Sequence, residues 1–190
     1  MSEKQNLKII AFVGLAGSGK TTAVKYLTDK KYPKVYFGGV VLDAMKEAGI
    51  EHTPENEEKF RDNLRTKYGK DFVVNKIIEQ IDKLLESGQH RIVADGVYSW
   101  SEYKILKQKY HQNIIFVATV ASKHLRYHRL AQREIRPMTT NEAHERDFSE
   151  IENLEKGGPI AMSDYYLMNN GNYEDFYKQI DEILKQIDFN

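Results

Sequence analysis

The 190-residue sequence contains no cysteine. Disulfides, thiolate nucleophiles and thiolate-held metals are therefore excluded. It also lacks any apolar run long enough to span a bilayer, and its polar start, MSEKQNLK, has no signal-peptide core. Net charge is missing too: 28 Lys and Arg balance 28 Asp and Glu. A neutral total gives no reason to expect a nucleic acid or an acidic membrane as partner, so any anion site must be local. Internal repeats, low-complexity tracts and Pro/Gly/Ser linkers are absent. These absences lead us to expect one cytoplasmic domain over residues 1–190, long enough to bury a core.

What is present is an alternation of short apolar runs and long amphipathic stretches. LKIIAFVG (7–14), KVYF (34–37), RIVAD (91–95), NIIFVATV (113–120) and YYLMNNG (165–171) read as strands and their exits. Helices are expected over 20–31, 40–49, 53–69, 71–88, 101–110, 122–136, 139–158 and 173–187. Thr53 with Pro54, Asp71, and Thr139 or Thr140 are candidate helix starts, and Gly49 and Gly88 candidate ends. Such alternation predicts a parallel sheet with helices on both faces.

The first strand runs into GLAGSGKTT. Gly14 to Thr21 matches G-x-x-x-x-G-K-[ST] at every fixed position, after a strand and before a helix. Glycines let the backbone turn so that several N–H groups converge. With the following helix N-terminus they make a phosphate cradle, here Gly14, Gly17, Ser18, Gly19, Lys20, Thr21 and Thr22. Lys20 would reach the β- and γ-phosphates, and the Thr21 hydroxyl would ligate Mg²⁺. Kinases, ATPases, GTPases and sensors share this element, and no guanine-reading N-K-x-D occurs.

Asp95 ends the third strand, where a P-loop protein holds Mg²⁺ directly or through water; a solvated strand-end acid is the plainer alternative. Residues 123–136 carry Lys123, His124, Arg126, His128, Arg129, Arg133 and Arg136. Arg129 and Arg133 are one turn apart and share a helix face. Guanidinium groups there could close over a transferring phosphoryl group, or simply form a solvated basic helix paired with the acids of NEAHERD. Arg146 and Asp147 could pair with that stretch or with each other. The histidines have no metal-ligand spacing that favours a site.

The P-loop, Asp95-Gly96, the R-x-x-x-R stretch and SDYYLMNNG before the last helix together resemble the nucleoside monophosphate kinase group. The chain is most similar to the dephospho-CoA kinase-related, adenylate kinase-like proteins, over almost its whole length. The resemblance implies an α/β three-layer P-loop NTPase fold with a five-stranded parallel sheet, order 2-3-1-4-5, and a small lid. It implies an ATP·Mg²⁺ site at 14–22, an acceptor-binding helical part near 38–70 and a lid near 133–146. Arg129 resembles the arginine that stacks on adenine, and Arg133 the one on the donor phosphates. NNG (169–171), centred on Asn170, resembles the turn beside the adenine, and Arg65 an acceptor-side arginine. On the acceptor side the chain departs from the pattern. Gly38-Gly39 stands where Gly-Asp is usual, Leu42 and Tyr98 stand where arginines are expected, and the nearest acid is Asp43. Tyr36, Phe37, Tyr98 and Trp100 could meet around an acceptor ring or belong to the core, and Trp100, in YSWSEY, is expected to be partly exposed.

Two functions follow. One is a kinase moving the ATP γ-phosphate to a nucleotide or nucleotide-like small molecule. In it Lys20, Arg129 and Arg133 act on the phosphates, Thr21 and Asp95 hold the metal, and Asp43 serves as candidate base. The other is a nucleotide-binding regulator or slow ATPase working through a protein partner. No recognised nucleic-acid-binding motif is present, and nothing in the pattern sets an oligomeric state.

Overall fold

The computed structural model describes residues 6–69 and 71–189; the side chains at 54, 55, 58, 62 and 65 lie outside that description. Five parallel strands form one sheet: β1 (Lys8–Val13), β2 (Lys34–Tyr36), β3 (Arg91–Asp95), β4 (Ile114–Val120) and β5 (Tyr165–Met168), in the order β2-β3-β1-β4-β5. This is the order that the family resemblance implies. The helices are α1 (Lys20–Asp29), α2 (Phe37–Glu47), α3 (Pro54–Tyr68), α4 (Phe72–Glu86), α5 (Trp100–Tyr110), α6 (Lys123–Ala131), α7 (Thr140–Glu152), α8 (Gly157–Ala161) and α9 (Tyr173–Gln186).

The continuous apolar runs of β1 and β4 reflect burial on both faces. Side chains alternate across a strand, so β1 feeds two cores. Ile9, Ala11 and Val13 meet α2, α4 and α5 through Met45, Ile77, Ile81 and Leu106. Ile10 and Phe12 meet α1 and α9 through Leu27, Phe176 and Ile180. On α4, Val74, Ile77 and Ile81 are fully buried, each worth roughly 1.5–3 kcal/mol against exposure. No helix among the described residues is long and apolar enough to cross a membrane.

Three expected elements are shorter or shifted. The basic helix ends at Ala131 instead of 136: Met138 N returns to Leu130 O at 3.1 Å and Arg136 has φ +57°, so 132–139 is a loop. The helix expected over 139–158 stops at Glu152, and Glu155, at φ +52°, turns the chain inward before α8. The second strand stops at Tyr36, and α2 begins at Phe37 and runs through Gly38 and Gly39. Thr139 caps α7 with a reciprocal Glu142 contact, and Thr53 accepts from Asn56 N at 3.2 Å. Asp71 sits at the start of α4 without a side-chain cap bond.

Candidate active site

The P-loop joins β1 to α1 and is clamped from two sides. The buried Ser18 hydroxyl lies 2.7 Å from Thr119 Oγ1, which donates to Val13 O at 3.2 Å, tying the loop to β4. Gly17 has φ +77°, and a Cβ there would lie 2.7 Å from the Arg126 carbonyl oxygen, so only glycine lets α6 approach. Gly19 has φ +108°, and a Cβ would run into Asn169 Nδ2, which donates to Ser18 O at 2.8 Å. The first bond of α1 runs from Ala23 N to Gly19 O, so the amides of 20–22 have no acceptor within the helix. That is the donor set a phosphate needs.

Lys20 Nζ donates to Gly14 O at 2.6 Å and Leu15 O at 3.2 Å. Burial lowers its pKa to about 7, with the charges of Lys156 and Arg146 adding to the effect and Glu150 and Asp95 opposing it. Around it opens a cleft of about 990 Å³. Gly17, Gly19, Lys20, Thr21, Thr22, Asp95, Arg129 and Arg133 all line it. Asp95 closes β3 beside Phe12 of β1 and Tyr36 of β2. Burial raises its pKa, while Lys34 and Lys20 pull it down through charge alone. Thr21 and Asp95 thus present a hydroxyl and a carboxylate to one space, a donor set suited to Mg²⁺.

Arg129 donates through Nη2 to Asn169 O at 2.9 Å, and its buried Nη1 has no partner among the described residues. Arg133 is exposed on the loop after α6; partial desolvation beside the cleft, with the Arg146 charge, lowers its pKa against the pull of Glu150. Gly14 and Ser18 lie behind the lining as supports. Asn170 faces away: its Oδ1 accepts from Ser122 N at 2.9 Å, and the neighbouring Asn169 is the one that lines the cleft. Asp43 is exposed on α2 and is not brought into the lining. The Arg65 side chain lies outside the described residues.

Arg126, read as part of the basic patch, is buried and structural. It makes a two-pronged contact with Asp147 at 2.8 and 2.6 Å and donates to Ala16 O at 3.0 Å. Arg146 pairs instead with Glu150 at 3.2 Å, one helical turn away. Glu150 Oε2 also lies 2.8 Å from Lys156 Nζ, a buried ion pair, and among the described residues neither atom has a further hydrogen-bond partner. Both groups are buried, and Lys156 Nζ sits 4.8 Å above the Tyr98 ring. Burial would raise the Glu150 pKa, but Lys156, Arg146 and Lys20 hold it below the usual value. Burial lowers that of Lys156 against the pull of Glu150. Glu150, Lys156 and Lys34 line the cleft, and no motif marks them in the sequence.

The four aromatic residues separate. Tyr36 and Tyr98 line the cleft, Phe37 is fully buried in the core, and Trp100 is half-buried, stacked 5.0 Å from Tyr103 and packed on Gly158. Tyr36 crowds the place of the missing acid. Its ring folds over α2's first turn, where a Cβ on Gly38 would lie 2.5 Å from the Tyr36 hydroxyl and one on Gly39, where the acid is expected, 3.0 Å from the ring.

A family model described as an AAA domain matches residues 10–155. A UPF0200 protein of Thermococcus kodakarensis is 33% identical over 182 residues, covering 94% of this chain and 97% of the relative. The chain belongs to the UPF0200 family. Among solved structures, a shikimate kinase from Bacteroides thetaiotaomicron superposes with TM-score 0.60 at 10% identity, over 95% of this chain and 98% of that one. A dephospho-CoA kinase from Campylobacter jejuni gives 0.55 at 15%, over 96% and 98%. At such identities the likeness is one of fold: this UPF0200 protein has a P-loop kinase-like fold.

Proposed function

We propose that this UPF0200 protein is an ATP-dependent phosphotransferase that moves the γ-phosphate of ATP to a nucleotide or nucleotide-like acceptor. The observation that carries the reading is convergence. Lys20, the amides of 20–22, Thr21, Asp95, Arg129 and Arg133 come from β1–α1, β3 and α6 with its following loop, yet line one cleft. The P-loop groups hold a nucleotide, and the two arginines add charge where a phosphoryl group in transfer gains it.

In this scheme Lys20 exchanges its contacts to Gly14 and Leu15 for the β- and γ-phosphates. Arg129 Nη1, buried and unpartnered, turns to the donor, and the 132–139 loop carries Arg133 over it as a lid. Thr21 and Asp95 would hold Mg²⁺, which supplies charge neutralisation between the β- and γ-phosphates. The acceptor oxygen bonds to the γ-phosphorus as the bond to the β–γ bridging oxygen breaks, and ADP leaves. A hydroxyl acceptor must lose a proton. Asp43, the candidate base, is exposed outside the lining and would have to be carried in by movement of α2. A phosphate acceptor is already an anion and needs no base, which favours a phosphorylated acceptor.

ADP release from Mg·ATP, measured against nucleoside monophosphates, deoxynucleotides and dephospho-CoA, tests this. One acceptor should raise turnover many-fold in wild type and not in Lys20→Ala. Flat turnover across the panel with ATP still bound would favour the nucleotide-gated regulator, for which the exposed Ile135 at the cleft rim offers a contact.

A further inference from the structure

Lys156 is a charged side chain that stability alone does not explain. Its residue is 1% exposed, its ammonium has no hydrogen-bond partner among the described residues beyond its ion pair with Glu150, and it reaches the cleft from the turn before α8. A buried ion pair without further hydrogen bonds recovers little of its desolvation cost. Here one contact carries the pair, because Glu150 Oε2 likewise has no other hydrogen-bond partner among the described residues. Two cations, Arg146 at 3.2 Å and Lys156 at 2.8 Å, share this one carboxylate. Arg146 is exposed and Lys156 lies beneath, against the face of Tyr98.

We propose that Arg146 and Lys156 form an anion subsite for a phosphate monoester group of the acceptor, with Glu150 as a built-in counter-ion that the ligand displaces. A phosphate offers three acceptor oxygens, enough to give both cations more hydrogen bonds than the single contact Glu150 makes to each. Glu150 also keeps the buried ammonium neutralised in the arrangement seen here. The displacement makes the subsite selective, because a weakly basic or neutral ligand cannot outcompete the carboxylate. The neighbouring Tyr98 ring, capped by Lys156 on one face, places the rest of the acceptor toward Tyr36. This inference rests on the phosphotransferase reading, since it assumes that the P-loop half of the cleft holds the donor.

The test uses the full chain, saturated with the Mg²⁺ complex of a non-hydrolysable ATP analogue to fill the donor half, γ-phosphate position included, and inorganic phosphate as the probe, read by thermal shift and calorimetry. Glu150→Gln removes the competitor and should tighten phosphate binding about 5-fold or more. Glu150→Gln/Lys156→Met removes the buried charges together, so it folds even where the single variant does not, and should lose the phosphate response. The Mg²⁺-bound analogue is titrated first on every protein. If wild type does not bind it, the donor-site reading fails. If it binds but phosphate affinity in Glu150→Gln equals or falls below that of wild type, the subsite is refuted. Retention of the phosphate response by the double variant refutes it as well. If Glu150→Gln tightens the ATP analogue but not phosphate on the analogue-bound protein, the cations serve the donor γ-phosphate and the acceptor assignment is overturned.

Discussion

Replacing Asp147 by alanine should unfold the protein more readily than any surface change. Arg126 and Asp147 are each 6% exposed and joined at 2.8 and 2.6 Å. Tyr127 donates a further bond to Asp147 at 3.2 Å. Among the described residues, the substitution leaves the buried guanidinium with Ala16 O at 3.0 Å as its one hydrogen-bond partner, beside the Tyr127 ring. Breaking a buried pair from one side costs about 3–5 kcal/mol, because the remaining charge is uncompensated. With a urea m-value of about 2 kcal/mol/M, the midpoint should fall by about 1.5–2.5 M. Arg126→Met/Asp147→Leu removes both charges and should lie within about 1–2 kcal/mol of wild type. Since Arg126 also braces Ala16, Asp147→Ala should weaken Mg·ATP binding under conditions where it is folded. A loss under about 1 kcal/mol in Asp147→Ala, or a double variant whose loss equals the sum of the singles, would refute the argument.

Three shorter expectations follow from the same geometry. Gly19→Ala forces a side chain into Asn169 at a φ of +108°, and should both destabilise the fold and abolish Mg·ATP binding by calorimetry. Lys20→Ala should keep the wild-type circular dichroism spectrum yet bind Mg·ATP roughly 10- to 150-fold more weakly, the loss of about 1.5–3 kcal/mol expected for a charged hydrogen bond. Glu150 has a pKa below its usual 4.5, so its contribution is present above that value and is lost as pH falls through the folded-state pKa. Acid unfolding below pH 4.5 should therefore be steeper in wild type than in Glu150→Gln; parallel acid limbs would remove the assigned charge contacts.

The strand set and the P-loop were legible because both are local: apolar runs bounded by glycine, and fixed glycines before Lys20 and Thr21. Asp95 was legible because a strand end beside the P-loop strand is a defined place in this topology. What escaped depends on where chain turns aim side chains. NNG marked the right turn, but the two-residue period of an extended exit sends Asn169 inward and Asn170 outward. Tyr36 and Phe37 read as a strand pair, yet the chain enters α2 between them, sending Phe37 to the core and Tyr36 over the glycines. Lys156 and Glu150 meet because α7 stops at Glu152 and Glu155 makes a left-handed turn that helix periodicity does not announce. Arg126 looked like its exposed neighbours on α6, and only its partner on α7 shows it to be structural.

The most direct test of the account follows the phosphorus itself. Mg·ATP labelled at the γ-position is incubated with the protein and each candidate acceptor, and the products are separated. The account predicts label on one phosphorylated acceptor, in a reaction lost in Lys20→Ala. Label appearing only as inorganic phosphate, at a rate no acceptor changes, would contradict it.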